Sequence, residues 1–201
     1  MHRLEEVPEE EQEEKQENEK SSPRFMERLF ETRTLTIFGE INMKLAQEVT
    51  QKLLILDSES HDPIKIFINS PGGHVESGDT IFDMIRFVKS PVKVIGTGWV
   101  ASAGALIYAA AEKENRYSLP NTRFLLHQPM GGARGQAADI AIEAEEILKM
   151  RKRLNETFAE QTGQPLEKVE HDTDRNFWMS AKEAVDYGLV GKIIAAADEV
   201  D

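Results

Sequence analysis

A strand pattern passes directly into a helix pattern in VKVIGTGWVASAGALIYAAAEK, residues 92–113. The first part, VKVIGTG, is apolar and β-branched, which is typical of a buried strand. The small residues of ASAGA then allow a tight turn and a closely packed helix, and Ser102 lies at that turn. A strand that turns at once into a helix indicates an α/β fold with Ser102 at the edge of its sheet.

Strand and helix patterns alternate on both sides of this stretch, with no repeat at a fixed period. Further strands are predicted at 35–39, at 64–69, in 122–127 ending at His127, and at 192–196. Helices with apolar residues on one face are predicted at 43–56, 77–88, 136–161 and 181–187. The sequence therefore predicts one α/β domain, which we place at residues 23–201.

The predicted helix at 136–161 is unusually long. Its apolar stripe consists of Ile140, Ala144, Ile147, Leu148, Met150 and Leu154. A helix of about 25 residues spans roughly 37 Å, which is more than most small domains need internally. We therefore expect it to project from the domain and to pack against another subunit.

The amino-acid composition of the chain excludes several functional classes. The chain has 201 residues and a net charge of −12, which argues against a nucleic-acid partner because phosphate contacts need clustered Lys and Arg. It has no cysteine, which excludes disulfides, thiolate catalysis and cysteine zinc sites. No run approaches 18 apolar residues and no secretory signal is evident, so we expect a cytoplasmic protein without membrane contact.

The first 22 residues differ in composition from the rest. Nine of the first twenty are Glu, and there is almost no apolar side chain to bury. Such a segment cannot offset its ordering entropy, so residues 1–22 are predicted to form a disordered acidic arm. The arm can be a solubilising extension or can act as a gate.

Ser102 and His127 are the candidates for nucleophilic chemistry. A hydroxyl nucleophile needs a neighbouring base, and Ser102 precedes a helix whose free amides favour negative charge. Taken alone, a serine before a helix is more often an N-cap. His127 ends a predicted strand, where α/β folds place their ligands. Gly72 and Gly73 follow Pro71, and they form either an ordinary turn or a close approach of the backbone to a substrate.

Carboxylate and metal sites are the alternatives. The carboxylates Glu143, Glu145 and Glu146 accompany Lys149 and Arg151 on the long helix, which indicates a solvated face. A metal site would have to gather His127, His171 and Asp172 from separate segments, and no HExxH spacing exists. No metal is therefore predicted, while Asp172 and Asp174 stay open as carboxylates that could orient a histidine.

Four motifs resemble those of the Clp protease proteolytic-subunit (ClpP) family. They are INSPGG at 68–73, GWVASAGALIYAAA at 98–111, RFLLHQPMGG at 123–132 and the following GQAADIAIEAEEILKMRKRLN. The resemblance runs from about residue 26 to residue 194. The spacing of 25 residues from Ser102 to His127 also resembles that of the family.

The resemblance implies a ClpP/crotonase-like spiral of ββα units with a projecting handle helix. It implies a homo-oligomer of two stacked heptameric rings around a chamber, and an AAA+ unfoldase that uses ATP to feed in unfolded polypeptide. This chain itself would need no cofactor. Peptide bonds would be hydrolysed through an acyl-enzyme on Ser102 with His127 as base. The amides of Gly73 and Ala103 would form the oxyanion hole, beside Gly72 in the substrate-binding motif.

The sequence departs from the family at the third member of the triad. The carboxylate position falls on Asn176, so an amide would have to accept the proton of the His127 ring. Asp172 and Asp174 lie close by in HDTDRN and are the alternative partners. This departure favours a second interpretation, in which the chain is a weakly active or structural paralogue in a mixed ring.

Other departures concern the partners. The acidic arm replaces the short apolar loop that lines the pore in the family, and Lys65 stands where the unfoldase-docking groove has an aromatic residue, although Phe67 and Phe87 match. The docking groove therefore departs from the family at one of its aromatic positions. A third interpretation, an acyl-CoA enzyme of the related crotonase fold, would not require the serine of ASAGA.

Overall fold

The computed structural model describes residues 23–129, 131–132 and 134–200. The predicted acidic arm, residues 1–22, lies outside the described residues, so its disorder stays a prediction. Among the residues that are described, no helix is long and apolar enough to cross a membrane.

Helices and strands alternate along the chain, which confirms the predicted α/β class. The helices are α1 (Pro23–Glu31), α2 (Met43–Glu59), α3 (Val75–Phe87), α4 (Ala103–Ala109), α5 (Ala137–Thr162), α6 (Leu166–Asp172) and α7 (Ala181–Tyr187). The strands are β1 (Thr34–Phe38), β2 (Ile64–Ser70), β3 (Val92–Ala101), β4 (Arg116–Ser118), β5 (Arg123–Leu126), β6 (Phe177–Ser180) and β7 (Lys192–Ile193). Every predicted element is present, whereas α1, β4, α6 and β6 were not predicted.

The strands form one sheet in the order β1, β2, β3, β4, β7. Strand β3 is long enough to have two neighbours on the same side. Val94–Gly96 pairs in parallel with β4, and Trp99–Ala101 pairs in parallel with β5. Strand β6 then pairs antiparallel with β5. The second half of β3 thus leads into a short three-stranded edge that carries the candidate site.

A bend in β3 makes this change of partner possible. Its register with β2 shifts between Ile68 and Ser70, and Gly98 has φ of +60°. A side chain at Gly98 would lie within 2.9 Å of the Asn69 amide, so only glycine fits there without displacing it. The bend directs the end of β3, and therefore Ser102, away from the main strands.

The two faces of the sheet are covered differently. In β2 the alternate residues Ile64, Ile66 and Ile68 are fully buried in the main core beneath the helices. Phe67 points to the other face and packs against a smaller cluster of Ile95, Tyr117 and Ile194. The face opposite the helices is therefore only partly covered within one chain.

Helix α5 belongs to two environments. Its C-terminal part packs into the core through Leu154 and Phe158, which are 7% and 4% exposed. Ile140, Ile142 and Leu148 in its N-terminal part are exposed. The expectation that the whole stripe faces another subunit was therefore wrong for Leu154, because that residue fills the core of its own domain.

A buried arginine anchors the C-terminal end of α5. The Arg116 side chain is 2% exposed and donates to the carbonyls of Ala111 and Gln161 at 2.6 and 2.7 Å and to the Gln161 side chain at 2.8 Å. Burial lowers the pKa of this guanidinium. These hydrogen bonds join α5 to β4, so the helix extends from a fixed base.

Candidate active site

Ser102 joins β3 to α4 in a strained conformation. Its φ of +55° and ψ of −121° are rarely adopted by residues other than glycine, and such strain persists where the surroundings enforce it. The Ser102 amide donates to the Leu125 carbonyl at 2.9 Å, which ties the turn to β5. Its hydroxyl makes no capping hydrogen bond, so the interpretation as an ordinary N-cap fails. The fold instead places at the start of a helix a hydroxyl that has no hydrogen-bond partner among the described residues.

Two glycines follow β2 and approach this serine. Gly72 has φ of +98°, and a Cβ built on it would lie 2.6 Å from the Ser102 Cβ and 3.1 Å from its Oγ. The backbone therefore touches the serine side chain, as only glycine allows. Gly73, with φ of +147°, forms a parallel bridge with Ile41 on its other edge. The interpretation of these glycines as an ordinary turn is therefore insufficient.

Among the described residues, the backbone pairings around Ser102 do not use the amides of Gly73 and Ala103. The bridge to Ile41 uses the Gly72 carbonyl and the His74 amide. Among the described residues, neither the Gly73 amide nor the Ala103 amide donates to a backbone carbonyl outside regular structure. Because Ala103 is the first residue of α4, its amide is one of the donors that a helix leaves unsatisfied. Both amides lie in residues adjacent to Ser102 or to the glycine that touches it.

His127 directly follows β5 and lines the same cleft as Ser102. The walls of this cleft are Val75, Ser102, Ala103, Leu106, His127, Pro129, Leu154 and Phe158. The ring is half-buried, and burial lowers the pKa of His127 from its ordinary value of 6.5. A neutral imidazole accepts a proton, which is what a general base requires. No hydrogen bond joins the two side chains within the described residues, and such bonds often tighten only when substrate binds.

The ladder between β5 and β6 brings Asn176 to His127. Leu126 pairs with Phe177, and the same register continued by one pair sets His127 opposite Asn176. Both residues line a second cleft. Facing side chains in such a pair have Cβ atoms roughly 4.5–5.5 Å apart. The Asn176 side chain is exposed and makes no hydrogen bond among the described residues, so it is free to turn toward the histidine.

The two aspartates near Asn176 have other partners. Asp172 accepts from the Tyr187 hydroxyl at 3.1 Å and pairs with Lys168. Burial acts to raise its pKa, but hydrogen bonds from Lys168, His171 and Tyr187 outweigh this and lower the pKa of Asp172. Asp174 pairs with Arg151 at 3.1 Å. Neither carboxylate contacts His127 in the described residues, which leaves Asn176 as the side chain that the register assigns to it.

The carboxylates on α5, which were the other candidates from the sequence, lie outside the cleft of Ser102 and His127. Glu145 and Glu146 pair with Lys149 on the exposed part of α5, which confirms the solvated face. No cluster of three or more possible metal ligands occurs among the described residues.

Sequence reasoning missed another serine and histidine pair, which is hydrogen-bonded. The His74 Nδ1 lies 2.8 Å from the Ser77 Oγ, and its Nε2 lies 3.2 Å from a Glu76 carboxylate oxygen. The composition is that of a triad, but Ser77 is fully buried and no substrate can reach it. The three-residue spacing from His74 to Ser77 at a helix start was the signal that could have revealed this contact.

Comparisons with known proteins agree with the motif resemblance. The family model described as Clp protease matches residues 16–197. The proteolytic subunit 2 of the ATP-dependent Clp protease of Gluconobacter oxydans is 66% identical over 175 residues, which cover 86% of this chain and 78% of that protein. Subunit 2 of Pseudomonas aeruginosa is 58% identical over 177 residues, which cover 88% of each chain.

Solved structures show the same similarity. ClpP1 from Listeria monocytogenes superimposes with a TM-score of 0.80 at 58% identity, and the match covers 88% of this chain and 99% of the ClpP1 chain. A mutant of that protein, in which one asparagine is replaced by aspartate, superimposes with a TM-score of 0.83 over the same shares. The ClpP-like fold implied by the motifs is thereby confirmed.

Proposed function

The chain belongs to the Clp protease family and is a serine-type peptidase subunit, and from this premise we propose that it cleaves unfolded polypeptides through an acyl-enzyme on Ser102. The observation that carries the proposal is the strained Ser102, with a free hydroxyl in the cleft that His127 also lines. In this mechanism His127 removes the hydroxyl proton as Ser102 attacks the peptide carbonyl. The same proton then passes to the leaving amine, and water releases the acyl group.

The backbone supplies electrostatic stabilisation. The amides of Gly73 and Ala103 would donate to the oxyanion that forms during attack, at the positive end of α4. Gly72 lets the backbone approach the serine closely enough for this. The reaction uses groups of this chain alone, and ATP would be consumed by the partner unfoldase. Working with such a partner, the subunit would act in the cytoplasm, where ATP is available.

The cleft beside Ser102 supports a preference for apolar substrate residues. Val75, Leu106, Leu154 and Phe158 form its walls, and a substrate side chain that enters it leaves water. We therefore propose that the residue before the cleaved bond is apolar.

A serine-reactive fluorophosphonate probe tests the proposed nucleophile. We expect one label per chain on the peptide that contains Ser102, together with loss of peptidase activity. Labelling elsewhere, or full activity after complete labelling of Ser102, would overturn the assignment.

The pH dependence of peptidase activity should reflect the buried histidine. Because burial lowers the pKa of His127 below 6.5, the neutral base persists into more acidic solution than for an exposed histidine. Activity should therefore fall only as pH drops through a midpoint below 6.5. The measurement is kcat/KM on a fluorogenic peptide between pH 5 and 8, and an acid-side midpoint above 6.5 would contradict the role given to the buried ring.

The exposed part of α5 supports an oligomer. Ile140, Ile142 and Leu148 are 42%, 59% and 62% exposed on a helix that spans about 39 Å. We propose that these residues pack against the same helix of another subunit, so that two heptameric rings stack around a chamber.

Replacing Leu148 by Glu should abolish most double rings. Burying an unpaired carboxylate in the interface costs several kcal/mol, whereas Leu148 contributes little to its own core. Native mass spectrometry at micromolar concentration measures the result, and Lys152→Glu, which alters charge at a 71% exposed side chain on the same helix, is the matched control. A wild-type monomer under these conditions, or an unchanged Leu148→Glu particle, would refute the interface.

We propose that an AAA+ unfoldase docks at Phe87. Phe87 is 73% exposed, whereas Phe67 is packed against the small cluster and Lys65 is the charged neighbour in β2. The exposed aromatic ring offers an apolar contact, while the lysine weakens the groove. The rate of ATP-dependent degradation of an unfolded protein, measured with each unfoldase from the same cell, tests this docking.

One observation favours a second function. The Asn176 amide is exposed, has no hydrogen bond among the described residues and is uncharged, so it stabilises an imidazolium less than a carboxylate does. The chain could then serve as a weakly active or structural paralogue of a mixed ring. To separate the two functions, turnover and native mass are measured for the chain alone and for the chain mixed with a second paralogue. A structural or weakly active subunit needs the paralogue for activity, whereas an independent peptidase does not.

A further inference from the structure

Two tryptophans and an arginine cluster on the edge sheet. The Trp99 and Trp178 rings are parallel within 4°, with centroids 6.4 Å apart. The Arg123 guanidinium lies 4.2 Å from the centroid of the Trp178 ring. Trp99 is 43% exposed, and it pairs with Arg123 in the ladder between β3 and β5. We call these three side chains the tryptophan platform.

The platform lies on the face of the edge sheet that turns away from the main core. In β5, Phe124 and Leu126 belong to the main core, whereas Leu125 does not. Because side chains alternate along a strand, Arg123 shares the face of Leu125. Leu125 pairs with Trp178, which sets that ring on the same face. The helices therefore leave the platform uncovered.

The same face leads to the candidate active site. His127 follows Leu125 by two residues, and Asn176 precedes Trp178 by two residues on the paired strand. At about 3.3 Å per residue, Trp178 lies roughly 7 Å from Asn176 and Arg123 roughly 13 Å from His127 along the strands. These distances correspond to about two to four residues of an extended peptide.

In the part of the chain that the structure describes, no carboxylate balances the charge of Arg123. Arg151 and Arg153 pair with Asp174 and Asp79, but in the described part of the chain no acidic group lies within ion-pair distance of Arg123. A guanidinium over an aromatic ring still has its edge donors free for a carboxylate. An anionic group is therefore the ligand that complements the platform.

We propose that the tryptophan platform binds an acidic side chain of the substrate polypeptide, about two to four residues from the cleaved bond. The peptide backbone would cross the aromatic rings while the carboxylate meets the Arg123 guanidinium. The inference rests on the proposed function, since it takes the substrate to be a peptide bound at Ser102. It makes Arg123 a residue that determines specificity and takes no part in the chemistry.

A series of quenched peptides tests this subsite. All peptides share one apolar residue before the cleaved bond. Each carries a single Asp or a single Asn, which is placed in turn at each of five positions on either side of that bond. Wild type should prefer Asp over Asn about two- to fivefold in kcat/KM at one position two to four residues away, the range expected of an exposed ion pair. Arg123→Gln should remove this preference and leave the Asn peptides unaffected.

The matched control is Arg86→Gln, because Arg86 also lies over an aromatic ring, Phe82 at 5.7 Å, but on α3. It should keep the preference for Asp. Three results overturn the subsite: wild type prefers Asp at no position, Arg123→Gln slows every peptide equally, or Arg123→Gln changes the native mass. The last would assign Arg123 to the fold or to contact with a neighbouring copy.

Fluorescence separates the failure of this inference from the failure of the proposed function. Trp99 and Trp178 are the only two tryptophans, so emission excited selectively at tryptophan comes entirely from the platform. In a Ser102→Ala background, the Asp peptide should change the emission at lower concentration than the Asn peptide. This readout needs no turnover. Equal titrations for the two peptides would overturn the subsite even in a protein that cleaves peptides.

Discussion

Replacement of Ser102 by alanine is expected to reduce peptide turnover by roughly 10³- to 10⁶-fold, the range that removal of a catalytic serine produces. The hydroxyl makes no hydrogen bond that supports the turn, so its loss leaves the fold and the oligomer unchanged. The measurements are kcat/KM on a quenched peptide, the melting temperature and the native mass.

Ser77→Ala is the matched control for this prediction. Ser77 contacts His74 at 2.8 Å, but it is fully buried and should not react. It should keep turnover within a few-fold of wild type. If Ser102→Ala kept comparable turnover while Ser77→Ala lost it, the nucleophile would have been assigned to the wrong serine.

Asn176→Asp is expected to raise turnover by roughly 10- to 100-fold, which corresponds to about 1.4–2.7 kcal/mol of transition-state stabilisation. A carboxylate opposite His127 would accept its ring proton, hold the tautomer that leaves Nε2 free, and stabilise the imidazolium that forms. The same charge favours the protonated ring, so the acid-side midpoint of the pH profile should move upward. A parallel measurement of kcat/KM and of the pH profile checks both effects.

Asp172→Ala and Asp174→Ala are the controls for the orienting group. Because these carboxylates pair with Lys168 and Arg151, their loss should change turnover less than Asn176→Asp does. If Asn176→Asp has no effect and one alanine variant is inactive, that aspartate orients the histidine. If Asn176→Asp lowers activity in an intact particle, the amide itself is the working partner and the expected gain is wrong.

Local patterns were enough to predict most of the fold. The passage from VKVIGTG to ASAGA concentrates apolar strand residues and then small helix residues, so β3, Ser102 and α4 followed from neighbouring residues alone. The strand end at His127 followed similarly from an apolar run stopped by Pro129. Periodicity also predicted α5, because a long amphipathic pattern has few other solutions.

Features that depend on distant residues could not be predicted in this way. The pairing of β5 with β6, which sets His127 opposite Asn176, joins segments about 50 residues apart through a register that no local pattern specifies. The assignment of Leu154 to the core depended on which part of α5 the domain covers. Arg116 is of a residue type that is rarely buried, and the carbonyls of Ala111 and Gln161 together with the Gln161 side chain make its burial tolerable.

The strained backbone of Ser102 also has an evolutionary consequence. A residue with a side chain at φ of +55° costs about 1–3 kcal/mol, a cost that glycine would not bear. In a lineage that no longer needed the hydroxyl, a change to glycine at this position would stabilise the fold, and drift would tend to fix it. A glycine at this position in a relative would therefore indicate that the relative no longer uses the hydroxyl that we propose as the nucleophile here.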